Sequence, residues 1–253
     1  MATLHITTNA DSGDGSLRAL LASASAGDVI EPDPTVFPVG TVCEISVATS
    51  LNFTTSVTIR GAQTRIRLVG NPAATQGSQI RAPMTFVDVD FWQMTKAANS
   101  SGGLLWHYAA AGACSYTRCT FNGNYASQGG VFYVASGASV SCDYCEFLGN
   151  CAWTASAVVH FASTNNADST FSNCLLIGNV AANGNQWNRS PTLSNCSTSV
   201  DNAAVPPSES YSYSTWTNVA WRSWVLRAAK YELAEAFDCA WVYYDGVDVA
   251  WLN

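Results

Sequence analysis

Four charged residues are the strongest candidates for chemistry in this sequence, and they are Asp88, Asp90, Arg118 and Glu146. If Phe91 and Phe147 are aligned, Asp90 and Glu146 lie in one outward row of side chains. Asp88 and Arg118 then lie in the row next to it. Paired carboxylates at a suitable separation can hydrolyse a glycosidic bond. Arg118 can instead form a surface salt bridge with Asp88, worth under about 1 kcal/mol. The pattern therefore favours a non-catalytic role, and the four residues remain weak candidates for catalysis.

Histidine and cysteine motifs predict no further chemistry. We place His107 and His160 at one repeat position, two coils apart with Tyr133 between them, so about 10 Å separates them. That distance is too long for a shared metal ion. Cys142-Asp-Tyr-Cys145 has the spacing of a redox or zinc motif but lacks a second pair of ligands. We expect no metal site and no cofactor.

The elements that must position these residues belong to an internal repeat. One pattern has cysteines 26 and 29 residues apart, and it occurs as Cys119-Thr-Phe-Asn-Gly-Asn124, Cys145-Glu-Phe-Leu-Gly-Asn150 and Cys174-Leu-Leu-Ile-Gly-Asn179. A second pattern begins at Gly102, Gly129 and Ser156, at intervals of 27 and 27 residues. Two markers with one period indicate a stacked array. Short β-runs separated by Gly, Asn and Ser predict an all-β, single-stranded parallel solenoid of about six coils over residues 38–205, with three strands and three turns per coil.

Stacking aligns equivalent side chains of successive coils, which predicts two structural ladders. The first is an inward row of free thiols at Cys119, Cys145 and Cys174, with Cys196 as a fourth member. The second is an asparagine row at a turn, formed by Asn124, Asn150 and Asn179. Asparagine amides can bond from coil to coil, and asparagine tolerates the left-handed backbone that such turns need. The sequence leaves open whether Cys114 and Cys142 form a disulfide.

The two ends of the solenoid need caps, because open edges invite aggregation. Residues 1–37 predict an N-terminal cap with a short helix that begins after Ser16 and stops at Gly27, followed by a strand over 28–31. Residues 206–253 predict an aromatic cap with a helix over 217–237 and a hairpin around Asp245-Gly246. Aromatic residues dominate protein interfaces, so this segment also predicts an assembly surface of Trp216, Trp221, Trp224, Tyr231, Trp241, Tyr243 and Trp251.

The composition excludes several partners. A net charge of −7 argues against nucleic acid, which needs clustered Lys and Arg. Charged residues make up only 11%, as expected for a solenoid with Ser-, Thr- and Asn-rich faces. No apolar run is long enough to span a membrane. The first residues have neither the basic start nor the apolar core of a signal peptide, so we expect assembly inside a cell.

Phe121-Asn-Gly-Asn124 and Phe147-Leu-Gly-Asn150 match the FxxN motif of the polymorphic outer-membrane proteins, and Gly129-Gly130-Val-Phe resembles their GGA(I/L/V) motif. The segment 11–30, Asp-Ser-Gly-Asp-Gly-Ser-Leu-Arg through Gly-Asp-Val-Ile, resembles the opening of many bacterial and viral right-handed β-helix proteins. The resemblance implies a right-handed parallel β-helix that acts as an adhesive or structural surface module. By comparison with pectate-lyase-like β-helices, the acidic cluster would bind calcium and Arg118 would draw a proton.

Three functions follow as hypotheses. The favoured one is a non-enzymatic structural or attachment protein of an assembled particle, namely a phage or virion component such as a capsid decoration, fibre or tail-associated protein. Its partners would be other particle proteins or itself, as a homo-oligomer such as a trimer, together with a glycan or cell-surface receptor. It would reside in the virion or on an extracellular surface. The alternatives are a secreted cell-surface adhesin and a polysaccharide lyase or glycosidase.

Overall fold

The computed structural model describes residues 1–70, 77–96, 102–162, 168–181 and 185–198, together with two strands at 241–244 and 249–252. Parallel sheets form an all-β solenoid of about six turns, about 27 residues apart, with very little helix. The predicted fold class is therefore confirmed. Each strand pairs with its equivalent in the next coil, so the register carries one position of the repeat onto the next.

Three long parallel sheets form the sides of the solenoid, and we name them A, B and C. Sheet A has eight strands, which are Thr3–Ile6, Val29–Pro32, Thr58–Arg60, Thr85–Val87, Ala113–Thr117, Ser139–Asp143, Thr170–Ser172 and Thr192–Ser194. Sheet B has seven, which are Val42–Val47, Arg65–Gly70, Val89–Trp92, Thr120–Asn122, Glu146–Leu148, Leu175–Ile177 and Ser197–Thr198. Sheet C has five, which are Asn52–Phe53, Ser78–Ile80, Leu105–His107, Phe132–Val134 and Val159–Phe161.

A fourth, short parallel sheet corrects the expected count of three strands per coil. Sheet D contains Tyr125–Gln128, Cys151–Ala155 and Val180–Ala181, and it lies between sheets B and C along the chain. Each of these strands follows directly on a ladder asparagine. The asparagine turn therefore leads into extended backbone that pairs between coils, and the coil gains a side that the sequence pattern did not reveal.

The core is built by alternation along the strands. Strand Val42–Val47 alternates exposed and buried residues throughout its length, as expected when one face of a sheet packs inward. Phenylalanines stack along the solenoid axis: the ring centroids of Phe91 and Phe121 are 5.0 Å apart, and those of Phe121 and Phe147 are 4.9 Å apart. One column of aromatic contacts thus continues through successive coils and adds to the apolar area that each coil buries.

The Gly-Gly pattern marks a corner where neighbouring coils approach closely. Gly129 has a φ of 68°, and a Cβ built there would lie 1.9 Å from the carbonyl oxygen of Phe132. A Cβ on Gly130 would lie 2.2 Å from the carbonyl oxygen of Ala157. Glycine is needed at this corner because a side chain would collide with backbone.

The N-terminal cap follows the sequence pattern with one correction. The α-helix spans Leu17–Ser23, and the Ser16 hydroxyl accepts a hydrogen bond from the Ala19 amide at 3.2 Å. It ends at Ser23 and does not reach Gly27, because the backbone of Ala24 is already extended, with a φ of −65° and a ψ of 146°. A 3₁₀ turn spans Ala109–Ala111. Among the described residues, no helix is long and apolar enough to cross a bilayer.

At the C-terminal end, strands Trp241–Tyr244 and Val249–Leu252 pair in antiparallel fashion. This pairing confirms the predicted hairpin around Asp245-Gly246. The predicted helix over 217–237 and the predicted domain boundary at residue 206 lie outside the described residues.

Candidate functional site

The outer side of sheet B carries the predicted charged cluster. In one row Arg67, Asp90, Thr120 and Glu146 follow one another in register. Asp88 and Arg118 lie two positions earlier along the chain, in the adjacent row. The structure therefore places the four predicted residues on one surface, which we call the charged face, and adds two arginines from the preceding coil, Arg65 and Arg67.

Asp90 is the central carboxylate of the charged face and is only 3% exposed. The Arg65 Nε lies 2.6 Å from Asp90 Oδ1, and the Arg67 Nε lies 3.5 Å from Asp90 Oδ2. Each carboxylate oxygen thus faces a different guanidinium, which compensates the cost of burying the charge. Asp90 is engaged on both sides and is poorly placed to act as a base.

Asp88 and Arg118 form a bidentate ion pair. Arg118 donates from Nε to Asp88 Oδ1 and from Nη2 to Asp88 Oδ2, both at 2.8 Å. This bond raises the pKa of the Arg118 guanidinium, so the side chain stays protonated and is a poor proton acceptor. Both residues have a positive φ, 57° for Asp88 and 52° for Arg118, at the corner between sheets A and B.

Glu146 is the one exposed carboxylate of the predicted set. Thr120 separates it from Asp90 in the row, and the Thr120 hydroxyl is 3.5 Å from Glu146 Oε2. No group of three His, Cys, Asp or Glu residues that could hold a metal ion occurs in the described parts of the chain. The charged face is an array of ion pairs, and its geometry favours a structural role over hydrolysis or lyase chemistry.

The cysteine row stacks at the corner that leads into sheet B. Each thiol contacts a carbonyl oxygen of the preceding coil: Cys119 that of Phe86 at 3.6 Å, Cys145 that of Tyr116 at 3.4 Å, and Cys174 that of Cys142 at 3.6 Å. Cys196 continues the row with the Phe171 carbonyl at 3.2 Å. The row also extends backwards, because Cys43 pairs with Ile66 and Ile66 with Val89, and sequence analysis missed Cys43.

All the cysteines in the described part of the chain are free thiols. Cys114 faces Val140 and Cys142 faces Tyr116 in the sheet register, so Cys114 and Cys142 are not partners. Burial raises the pKa of the Cys43 thiol to about 12 and also raises that of Cys142. Protonated, buried thiols pack as small apolar groups and are unreactive, which supports a structural role for the CxxC spacing.

The asparagine row is a continuous hydrogen-bonded ladder inside the solenoid. The Asn124 Nδ2 donates to the Phe91 carbonyl at 2.8 Å and to Asn150 Oδ1 at 3.0 Å, and the Asn150 Nδ2 donates to the Phe121 carbonyl at 2.8 Å and to Asn179 Oδ1 at 2.9 Å. The left-handed conformation belongs to the preceding Gly123, Gly149 and Gly178, not to the asparagines. The expectation about the asparagine backbone was therefore wrong. The glycine adopts the left-handed conformation, and the side-chain amide of the asparagine forms the hydrogen bonds between coils.

The placement of the histidines corrects the expected alignment. His107 pairs with Val134, whereas Trp106 pairs with Tyr133 and Tyr133 with His160. The two histidines therefore occupy neighbouring positions of the repeat and point to opposite sides of sheet C. His107 is fully buried, and its Nε2 is 2.7 Å from the Tyr116 hydroxyl. Burial lowers the pKa of His107 to about 3, so the ring is neutral.

The outer side of sheet C carries an aromatic row, of which only the stacking of Tyr133 and His160 was predicted from the sequence. Trp106, Tyr133 and His160 are partly exposed in register, and the adjacent Tyr108 extends the row; we call these four rings the aromatic stripe. The Trp106 and Tyr108 centroids are 4.9 Å apart, those of Trp106 and Tyr133 5.1 Å, and those of Tyr133 and His160 5.4 Å. Its signal was present, since the three register partners share the fifth position of the Gly-Gly pattern.

The predicted assembly residues divide by position. Trp241, Tyr243 and Trp251 lie in the two strands of the C-terminal hairpin. The remaining four, Trp216, Trp221, Trp224 and Tyr231, lie outside the described residues.

Fold and surface together define a parallel β-solenoid with one charged face and one aromatic stripe. Comparisons with family models, curated proteins and solved structures give no match for this chain. The resemblance to polymorphic outer-membrane proteins therefore depends on the quoted motifs alone.

Proposed function

We propose that the protein is a non-enzymatic structural or attachment component of an assembled particle, such as a capsid decoration, fibre or tail-associated protein of a phage or other virion. The observation that best supports this proposal is the state of the charged face. Its buried carboxylate is held by two arginines, and Asp88 is held by Arg118. The buried thiol and asparagine ladders favour a stiff rod.

The aromatic segment over 206–253 is the proposed assembly surface. It contains Trp216, Trp221, Trp224, Trp241 and Trp251, and aromatic residues carry much of the binding energy at protein interfaces. Its partner is either another particle protein or a second copy of the chain, with a trimer as the form suggested by analogy with β-helix fibres.

Sedimentation velocity tests the assembly surface. The full chain is compared with a chain that ends at residue 205 and with a full-length Trp241→Ala/Trp251→Ala variant. We expect the full chain to form a defined oligomer and both altered chains to lose it while keeping their β-rich circular dichroism. Unchanged oligomers in both altered chains would contradict the proposal.

Incubation with acidic and neutral polysaccharides, with and without calcium, tests the non-enzymatic part. We expect no release of reducing ends and no unsaturated products. Cleavage that disappears in the Asp90→Asn variant, but not in the Asn122→Ala control, would establish a lyase or glycosidase instead.

A secreted adhesin is the second candidate, and the partly exposed aromatic stripe favours it, because such a surface suits attachment to an external ligand. Both candidates use the same solenoid. Gene neighbourhood separates them: capsid and tail genes on either side support the particle protein, whereas a longer parent gene with a signal peptide and a membrane barrel supports the adhesin.

A further inference from the structure

The outer row of sheet C combines aromatic and amide side chains. In register it runs Asn52, Gln79, Trp106, Tyr133 and His160. In the strands that contain Gln79, Trp106, Tyr133 and His160, the residues on both sides are buried and the row residue is partly exposed. The row therefore presents rings and hydrogen-bonding amides to solvent over successive coils, at intervals of about 4.8 Å.

Cations lie beside this row, and none of them pairs with a carboxylate in the part of the chain that the structure describes. The Arg81 guanidinium lies 4.1 Å from the Tyr108 ring centroid, and the Lys96 ammonium lies 4.6 Å from that of Trp106. Arg81 also donates from Nε and Nη2 to Gln79 Oε1, at 3.0 and 2.8 Å. Near the other end of the row, burial lowers the pKa of His160, and the positive charge of Arg189 lowers it further.

Elsewhere in the described solenoid, the arginine side chains pair with carboxylates. Arg18, Arg60, Arg65, Arg67 and Arg118 all form ion pairs with carboxylates. No ion pair joins Arg81, Lys96 or Arg189 to any other described residue, and no strand of sheet C contains an acid. In a chain with a net charge of −7, the described cations that pair with no described carboxylate are thus those near the aromatic stripe.

We propose that the aromatic stripe binds an oligosaccharide that carries carboxylate or sulfate groups. The weakly positive C–H groups of a sugar ring are attracted to aromatic rings. Amides such as that of Gln79 can bond sugar hydroxyls, and a guanidinium pairs strongly with carboxylate or sulfate oxygens. Single-stranded nucleic acid also stacks on aromatic rings, but its dense phosphate charge fits poorly with three cations on an acidic protein. This inference rests on the attachment function proposed above and gives it a ligand class.

Isothermal titration of the full chain tests the inference with oligogalacturonate, a heparin-derived oligosaccharide, a neutral cello-oligosaccharide and a single-stranded DNA oligomer. We expect at least one of the two anionic sugars to bind, with an affinity that falls as salt concentration rises, and the neutral sugar to bind at least about tenfold more weakly. Equal affinity for neutral and anionic sugars, tighter binding of the DNA, or no binding of either anionic sugar would overturn the inference.

Variants locate the binding surface. Tyr133→Ala should lower the affinity for the anionic sugar at least about tenfold, as expected for an aromatic residue at a binding surface. Arg81→Gln, at an exposed side chain, should weaken it several-fold and reduce the salt dependence. Tyr144→Ala is the matched control, because Tyr144 is 61% exposed on the far corner of the solenoid. Equal loss in Tyr144→Ala and Tyr133→Ala, or none in Tyr133→Ala and Arg81→Gln, would contradict the assignment.

Failure here and failure of the proposed function have different signatures. If the chain forms its oligomer but does not bind anionic sugars, only the ligand proposal is wrong. If the chain binds anionic sugars through Tyr133 but does not assemble, the ligand proposal stands and the particle function is wrong.

Discussion

The charged face of sheet B and the aromatic stripe of sheet C are built on the same backbone repeat but use their cations in opposite ways. On the charged face, Arg65, Arg67 and Arg118 are bonded to carboxylates of neighbouring coils. On the stripe, Arg81 and Lys96 lie against aromatic rings and pair with no described carboxylate, whereas Arg67 of the charged face has both a ring, that of Trp92, and a carboxylate. Asp88 and Asp90 thus have arginine partners within the protein, whereas no described carboxylate pairs with the two cations of the stripe.

The difference shows where function is best sought on a solenoid. A cluster of acids looks catalytic when only residue types are compared, yet Asp88 and Asp90 of the charged face are paired with arginines from adjacent coils. A row of aromatic residues looks like core, yet here it faces outward. Uncompensated charge beside partly exposed rings is a better guide to a binding surface than the number of acids.

Disrupting the ladder beneath both surfaces should have the largest effect. In Asn150→Ala, the amide and side-chain donors of Asn124 lose Asn150 Oδ1, and the Phe121 carbonyl loses the Asn150 Nδ2 donor, whereas Asn179 Oδ1 keeps its bond from the backbone amide of residue 150. Because a buried unsatisfied group costs about 1–3 kcal/mol, we expect the free energy of unfolding to fall by about 5 kcal/mol. Urea denaturation measures the change. Asn122→Ala, at a partly exposed residue on the preceding coil, should change it by less than about 0.5 kcal/mol.

Asp90→Ala should disrupt the charged face alone. It leaves Arg65 and Arg67 without their shared, buried carboxylate, so we expect a loss of about 3 kcal/mol in urea denaturation. Binding of anionic sugar to the stripe should be unchanged. Glu146→Ala, in the same row but exposed, is the control and should cost under about 0.5 kcal/mol. Equal effects of the two substitutions would mean that burial between arginines does not distinguish Asp90.

Acid should destabilise the protein through the inner side of sheet C. Burial holds the pKa of His107 at about 3, below the ordinary value of about 6.5, so between these values the unfolded chain binds the proton and the folded chain does not. Stability therefore falls as pH drops below about 6.5, by about 3 kcal/mol at pH 4. His160, whose pKa burial also lowers, adds in the same direction.

Urea titrations at several pH values measure this dependence. A His107→Phe/Tyr116→Phe variant removes both members of the buried pair and is the comparison, since replacing both partners avoids an unsatisfied group. Its stability should vary less with pH between 4 and 6.5 than that of the unaltered chain. An identical pH dependence in both would exclude His107 as the source.

Arg118→Ala should have the smallest effect. Arg118 is half exposed, at 54% of its side chain, and exposed ion pairs contribute under about 1 kcal/mol. A double-mutant cycle with Asp88→Ala, followed by urea denaturation, isolates the pair. A coupling energy above about 2 kcal/mol would show that the charged face is more strongly coupled than its exposure indicates.

Much of the fold could be predicted because stacked coils repeat their side chains. The thiol row, the asparagine row and the capped helix after Ser16 each have a local signal with one dominant physical cause. The charged cluster was predicted as a set, but Arg65 and Arg67 were missed. Their strand carries neither the cysteine nor the asparagine that marks the later coils, so nothing in the sequence aligned them with Asp90.

Other features depend on which side of a strand a residue occupies. A shift of one position exchanges the inner and outer faces, which is why His107 was assigned to the row of Tyr133 and His160. The aromatic stripe as a whole was missed for a related reason: Trp106 and Tyr133 alternate with buried Leu105, Phe132 and Val134, so the whole run resembles a buried strand. Sheet D is short, and its strands carry no separate pattern.

The asparagine ladder makes the coils interchangeable at their joints. Gly123 precedes Asn124 as Gly149 precedes Asn150, and both asparagines bond their neighbours through the same atoms. Removing residues 124–149 would join Gly123 to Asn150 with one complete circuit of backbone lost and no new kind of junction. Such a protein can shorten or lengthen in whole units of about 4.8 Å, so its reach is a quantity that deletion or duplication of a single gene segment could adjust.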